Sequence, residues 1–140
     1  MGLVSPEVTR QINLPAWQEF FGQMKRIGLK PIGYCLGGIV PYLDIICEMN
    51  LSAVMPEETK KGFVLDVVEL RRRVPAEIML FGNLDSLLLW RGTFKEIEAE
   101  VKRQAHARDY GPFAFMNGSP LCPETPPDNL KAFVHAARSV

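Results

Sequence analysis

The sequence predicts an α/β fold in which about four parallel strands alternate with helices across one 140-residue unit, residues 1–140. Two observations carry this expectation. Short apolar segments recur between amphipathic stretches in the order α-βα-βα-βα-βα, and no repeat, low-complexity tract or long linker divides the chain. Each intervening helical stretch is long enough for the crossover that parallel neighbours require.

Each element has its own signal. From Leu14 to Ile27, Trp17, Phe20, Phe21, Met24 and Ile27 recur at helical spacing, with Asn13 placed as N-cap and Gly28 as stop. Pro31 to Leu36 reads as a strand broken by Gly37-Gly38, and Ile39 to Met49 as a helix burying Leu43, Ile46 and Cys47. Leu51 to Met55 is a second strand, followed by a polar loop from Pro56 to Lys61. Val64 to Arg73 is helical, with Leu65, Val68 and Leu70 facing inward and Arg71-Arg72-Arg73 complementing the dipole at its last turn.

Glu77 to Phe81 is the third strand, and a short apolar segment from Leu87 to Trp90 follows it. Thr93 and Glu96 fit a capping box that opens a helix running to about Arg108. Pro112 to Met116 is the fourth strand. Thr125-Pro126-Pro127-Asp128 opens the last helix, with Pro126 at its first position and Leu130, Phe133, Val134 and Ala137 as its buried stripe. Two architectures satisfy this order: an open doubly wound sheet, or part of a closed (β/α)8 barrel. Gly37-Gly38 does not supply a dinucleotide-binding Gly-x-Gly-x-x-Gly turn, and no Walker-type lysine loop is present.

Composition narrows the function classes. Sixteen basic and sixteen acidic residues cancel, so there is no electrostatic footprint for nucleic acid or an anionic membrane. The longest apolar runs, such as Leu87-Leu88-Leu89-Trp90, are too short to span a bilayer, and Met1 to Asn13 contains no signal-peptide core. The cytoplasm is the expected location. Cys35, Cys47 and Cys122 are an odd count without a CxxC pair, which argues against a disulfide framework or a zinc knuckle.

Three segments choose between the two architectures. Gly82-Asn83-Leu84-Asp85, directly after the third strand, resembles the Gly-Asn-Leu-Asp segment of uroporphyrinogen decarboxylases. Gly92-Thr93 through Glu96, continuing to Ile97 and Val101, resembles the Gly-Thr-x-x-x-Ile helix start of that superfamily. Gly118 to Asn129, reading GSPLCPETPPDN, resembles its closing glycine-rich turn and Thr-Pro-x-x-Asn helix start. The resemblance runs from about Pro31 to the C-terminus and implies the C-terminal half of a (β/α)8 TIM barrel.

The superfamily it implies joins two chemistries. Uroporphyrinogen decarboxylases remove carboxylates from tetrapyrrole acetate side chains without a cofactor. Their methyltransferase relatives move a methyl group between a corrinoid protein and a small thiol or methylated substrate, many with zinc held by a His-x-Cys and a cysteine in the last glycine-rich turn. With Gly37 and Pro41 in register, the His-x-Cys positions fall on Tyr34 and Leu36, and the reactive position of the final turn falls on Ser119. No metal or cofactor is therefore assigned. Cys35 lies between the two former ligand positions and would point to the opposite face of a strand, although a one-residue slip would bring it nearer the site. Cys122 would need a remodelled loop to replace Ser119.

Glu57 and Ser119 are the catalytic candidates; Tyr34, Cys35, Asn83 and Asp85 are the substrate-binding ones. A carboxylate at Glu57, or at its neighbour Glu58, could act as a base or orient a substrate, or else belong to a solvated loop. Asn83 and Asp85 could form a polar pocket wall or shape the turn into the next helix. His106 and His135 are expected on the outer ring, away from the chemistry. Four strands leave two open edges. The expected partners are therefore a second copy in a homo-oligomer or a complementary N-terminal half-barrel chain, with a corrinoid protein added by the methyl-transfer resemblance.

Overall fold

The structure, a computed structural model, describes residues 4–60 and 62–140. Lys61, the expected end of the loop after the second strand, lies outside the described residues, as do Met1 to Leu3. Four strands, β1 (Ile32–Cys35), β2 (Ala53–Pro56), β3 (Met79–Phe81) and β4 (Phe113–Ala114), form one sheet in the order β1-β2-β3-β4. Every neighbouring pair is parallel. Tyr34 pairs with Met55, Val54 with Leu80, and Phe81 with Ala114. Hydrogen bonding between β3 and β4 continues past their ends, from the Leu84 amide to the Met116 carbonyl and from the Gly118 amide to the Leu84 carbonyl, each 2.9 Å.

The helix before β1 begins earlier than its periodicity suggested. Ser5 caps α1 (Pro6–Val8), which passes through a π turn (Thr9–Asn13) into α2 (Leu14–Arg26). Asn13 is therefore helical and makes no side-chain cap. The apolar repeat starts at Leu14 because only there does the rod meet the core. Helices α3 (Leu43–Glu48), α4 (Val67–Arg73), α5 (Ser86–Arg91), α6 (Phe94–Ala105) and α7 (Pro127–Ser139) complete the layer. Thr93 and Glu96 form the expected capping box, the threonine hydroxyl oxygen accepting from the Glu96 amide and the glutamate from the Thr93 amide. Pro126 is the N-cap of α7 and Pro127 its first residue, one position later than expected. Val134 stays 45% exposed, and the inward stripe turns through Asn129 and Ala136 instead.

One face of the sheet is covered and the other is open. Cys35, Val54 and Leu80 join Ile39, Leu43, Ile46, Val67 and Leu70 in the main core beneath the helices. Alternation then sends Ile32 and Tyr34 to the opposite face, where they are 53% and 44% exposed. A second cluster, Leu84, Leu89 and Ile97, sits under α5, α6 and α7. Asn129 ties α7 to this corner by donating to the carbonyls of Leu89 (2.8 Å) and Gly92 (3.0 Å). No helix among the described residues is long and apolar enough to cross a membrane.

Arg71 departs most from expectation. It is fully buried, unlike the dipole-capping cation its place in the last turn of α4 suggests. Its guanidinium donates to the carbonyls of Ile78 (2.6 Å), Pro75 (2.6 Å), Pro112 (3.1 Å) and Val74. Arg71→Met should destabilise the fold by about 3 kcal/mol, because buried carbonyls lose their donors. Arg71→Lys should restore only part of this, lacking the planar fork. Urea midpoints of the three proteins check the order; a Met variant as stable as wild type would refute the strut.

Candidate functional site

The strand ends gather the candidate residues unevenly. Tyr34 lies in β1 on the open face, and its hydroxyl donates to the Gly118 carbonyl at 3.1 Å, joining the end of β1 to the turn after β4. That turn crosses close to the loop after β2: a Cβ on Gly118 would collide with the backbone of Glu58, so only glycine fits there. Asn117 donates to the Ser119 carbonyl and holds the turn from within. Ser119 itself is buried, and its hydroxyl oxygen has no hydrogen-bond partner. Tyr34, Met55, Met116, Asn117, Gly118, Ser119 and Pro120 line a cleft of about 210 Å³.

Glu57 directly follows β2 and is not the solvated loop residue its polar neighbours suggest. It is 8% exposed and accepts from Lys60 and from the Gly37 amide (2.8 Å). Gly37 has φ 81°, a left-handed conformation that aims its amide at the carboxylate without a side-chain penalty. The hydrogen bond from Lys60 holds the Glu57 carboxyl below its ordinary pKa; burial opposes this and the Gly37 amide supports it. Glu58 turns away, accepting from the Ser86 amide and hydroxyl at 3.1 and 2.9 Å, and so fixes the start of α5.

Three other candidates take structural positions. Cys35 sits on the helix-covered face, 5% exposed, with its thiol 3.6 Å from the Gly33 carbonyl. The register admits no slip that would bring it to the cleft, because Tyr34 pairs with Met55 and Cys35 with Pro56. Burial pushes its thiol pKa up to about 11. Asn83 is buried and donates to the carbonyls of Glu57 (3.2 Å) and Leu65 (3.0 Å), clamping the loop between β2 and α4. Asp85 caps α5 through the Leu87 amide at 2.8 Å. Asn83 and Asp85 line a separate cavity with Thr59, Glu100 and Arg103, away from Tyr34 and Ser119.

Lys60 and Asn117, which bond the candidates Glu57 and Ser119, were not among the candidates the sequence offered. Lys60 was hidden in a polar run. Asn117 could have been flagged by the Asn-Gly turn signal it forms with Gly118. His106 and His135 are exposed on the helical layer, as expected. The zinc chemistry of the resembled relatives does not fit these donors. The Tyr34 phenol is committed to Gly118, Cys35 faces away, and among the described residues no three His, Cys, Asp or Glu side chains cluster as metal ligands would.

Two outcomes check this geometry. A carboxylate with a lowered folded-state pKa contributes stability above its unfolded pKa, about 4.3, and loses it as pH falls through the folded value. Glu57→Gln should therefore lower the urea midpoint at pH 7, with the gap from wild type closing progressively below about pH 4. A gap that stays constant down to pH 2 would contradict the Lys60 pairing. Cys35 should resist iodoacetamide at pH 8 in the native protein and react only on denaturation. Prompt stoichiometric native labelling at Cys35 would place it on the open face.

Comparison with known proteins bears on the family and the fold. The family model described as uroporphyrinogen decarboxylase (URO-D) matches residues 1–140. A uroporphyrinogen decarboxylase of Acidiphilium cryptum (strain JF-5) is 30% identical over 142 residues, covering 99% of this chain and 38% of the relative. One from Rhodospirillum rubrum is 28% identical over 115 residues, covering 82% of this chain and 31% of the relative. A solved methyltransferase from Methanosarcina mazei matches with a TM-score of 0.78 at 25% identity, over 98% of this chain and 38% of that one. The chain thus spans less than two-fifths of the length of these relatives. Its four parallel strands alternating with helices form part of an α/β barrel, the architecture that the sequence motifs implied. On the match along its whole length, this chain belongs to the uroporphyrinogen decarboxylase family.

Proposed function

We propose that this chain supplies the C-terminal strands of a family barrel and, once that barrel is closed, one wall of a pocket for a methylated or carboxylated small molecule. The observation that carries this reading is the joining of Tyr34 to the Gly118–Ser119 turn at the strand ends, around a cleft beside a sheet face still open at Ile32 and Tyr34. Chemistry in such barrels is done at the C-terminal ends of the strands. Methyl transfer, with a corrinoid protein as the methyl carrier, is favoured over decarboxylation. Ser119 stands where the resemblance puts a histidine in the decarboxylases and a cysteine in the zinc methyltransferases. What favours methyl transfer is the likeness, along 98% of this chain, to a solved methyltransferase. The same serine, with Tyr34 at a former ligand position, supports a second reading: a pocket that binds without turnover.

The completing partner can be argued from the helix layer. Two copies would bring eight strands, but each copy has a helix before β1 as well as one after β4. The α2 rod of one copy and α7 of the other would then claim the same groove at each junction. A complementary segment that begins and ends with a strand avoids the conflict. This favours the N-terminal half-barrel partner over the homo-oligomer.

The test is co-expression with the part of the Acidiphilium cryptum relative that this chain does not match. Light scattering should report a one-to-one complex, and that complex should methylate a small thiol from methylcobalamin while leaving uroporphyrinogen intact. Binding of the thiol without turnover would select the second reading. Decarboxylation of uroporphyrinogen would overturn the choice of chemistry. A monomeric chain with β1 and β4 amides protected from hydrogen exchange, indifferent to the segment, would overturn the partial-barrel reading.

A further inference from the structure

Helix α2 carries more apolar surface than this chain covers. Helical geometry divides its side chains into four rows. Leu14, Trp17 and Phe21 face inward onto the main core. Gln18 and Lys25 turn toward α3 and the chain after it, donating to the carbonyls of Glu48 (2.9 Å) and Leu51 (3.2 Å). Glu19 accepts from Gln23 (2.6 Å) and Arg26 (3.3 Å) on the outer side. The fourth row, Phe20, Met24 and Ile27, lies on the flank opposite α3, with Phe20 58% and Ile27 76% exposed.

That flank overhangs the free edge of β1. The carbonyls of Pro31 and Cys35 accept from the amides of Ser52 (2.8 Å) and Glu57 (3.1 Å), on the β2 side. Backbone groups alternate sides along a strand, so those of Ile32 and Tyr34 face away from β2. The edge is thus apolar above, at Phe20 and Ile27, and apolar below, where the Ile32 side chain is exposed on the open sheet face. A strand seated there is buried on both faces, the setting of an apolar parallel strand.

Topology says which strand belongs. The strands advance in one direction from β1 to β4, and α2, α3 and α4 share a core on one face of the sheet. Helix α2 leads into β1, so the strand that a right-handed crossover places before it pairs with the free edge of β1. We infer that the complementary half-barrel segment is anchored at this edge. It adds a short apolar strand parallel to β1, packed under Phe20, Met24 and Ile27 on one face and beside Ile32 on the other. The opposite rim contributes less, because Lys131, His135 and Arg138 share its hollow of about 370 Å³ with Leu130 and Val134. This inference rests on the half-barrel partner proposed above, and it names the surface and residues that hold that partner.

The test dilutes the complex of this chain with the co-expressed segment of the Acidiphilium cryptum relative and follows its dissociation by light scattering. Phe20→Ala should weaken the complex by about thirtyfold and Ile27→Ala by about tenfold, as truncation of central interface residues does. Val134→Ala on α7 should stay within about threefold of wild type. Phe20 and Ile27 are exposed in the chain alone, so both variants should keep the wild-type urea midpoint without the partner. If Phe20→Ala loses stability by itself, Ile27→Ala is read in its place. Hydrogen exchange at the Ile32 and Tyr34 amides should slow at least about tenfold in the complex. Alanine variants that bind as tightly as wild type would overturn the anchor and leave the partner reading standing. Unslowed Ile32 and Tyr34 amides within a formed complex would overturn the added strand. Self-association of the chain alone, abolished by Phe20→Ala, would overturn the choice of occupant in favour of a second copy. No complex at all would overturn the partner reading and the anchor with it.

Discussion

One buried cation ties the end of α4 to the starts of two adjacent strands, β3 and β4. The Arg71 guanidinium draws on carbonyls from the end of α4, from the turn into β3 and from Pro112 at the start of β4. These carbonyls sit where short parallel strands begin, and backbone groups buried there must find donors. A single planar fork serves several of them at once, which no neutral side chain could do. Burial lowers the arginine's pKa, yet guanidinium remains charged near neutrality. The cost of desolvating that charge is offset by hydrogen bonds to oxygens that would otherwise be unpaired. With the N-terminal ends of β3 and β4 fixed in this way, the residues at their C-terminal ends acquire a defined position.

That position is where the second constraint operates. Gly118 lets the turn after β4 lie against the loop after β2, and the Tyr34 hydroxyl closes the arrangement from β1. Asn83 and the Glu58–Ser86 contact brace the same loop from beneath. The polar residues nearest the family motifs therefore divide into two kinds. Asn83, Asp85 and Asn129 satisfy backbone groups and shape turns, whereas Tyr34, Glu57 and Ser119 stand at the strand ends that a completed barrel would enclose.

Much of this was legible along the chain. Strand and helix order follows from apolar periodicity, because the strands are only a few residues long and most elements are bounded by glycine, proline or a capping residue. The Thr93–Glu96 box is a local interaction three residues apart, so its formation needs no tertiary information. The N-terminal helix was misjudged for a physical reason. Its first turns bury only Thr9 and leave Val8 and Ile12 exposed, so they carry no apolar stripe to mark them as helix.

The sequence by itself determined the α/β alternation and the family. Only the tertiary structure decided which face of β1 is covered. Alternation dictates that Tyr34 and Cys35 point in opposite directions, but not which direction holds the helices. It also decided that Arg71 is internal, because one of its acceptors, Pro112, lies 41 residues away. Glu57 was settled the same way: the glycine amide that holds it comes from the end of β1, twenty residues earlier. Contacts of that range exist only once parallel strands have been brought side by side, and local residue patterns do not record them.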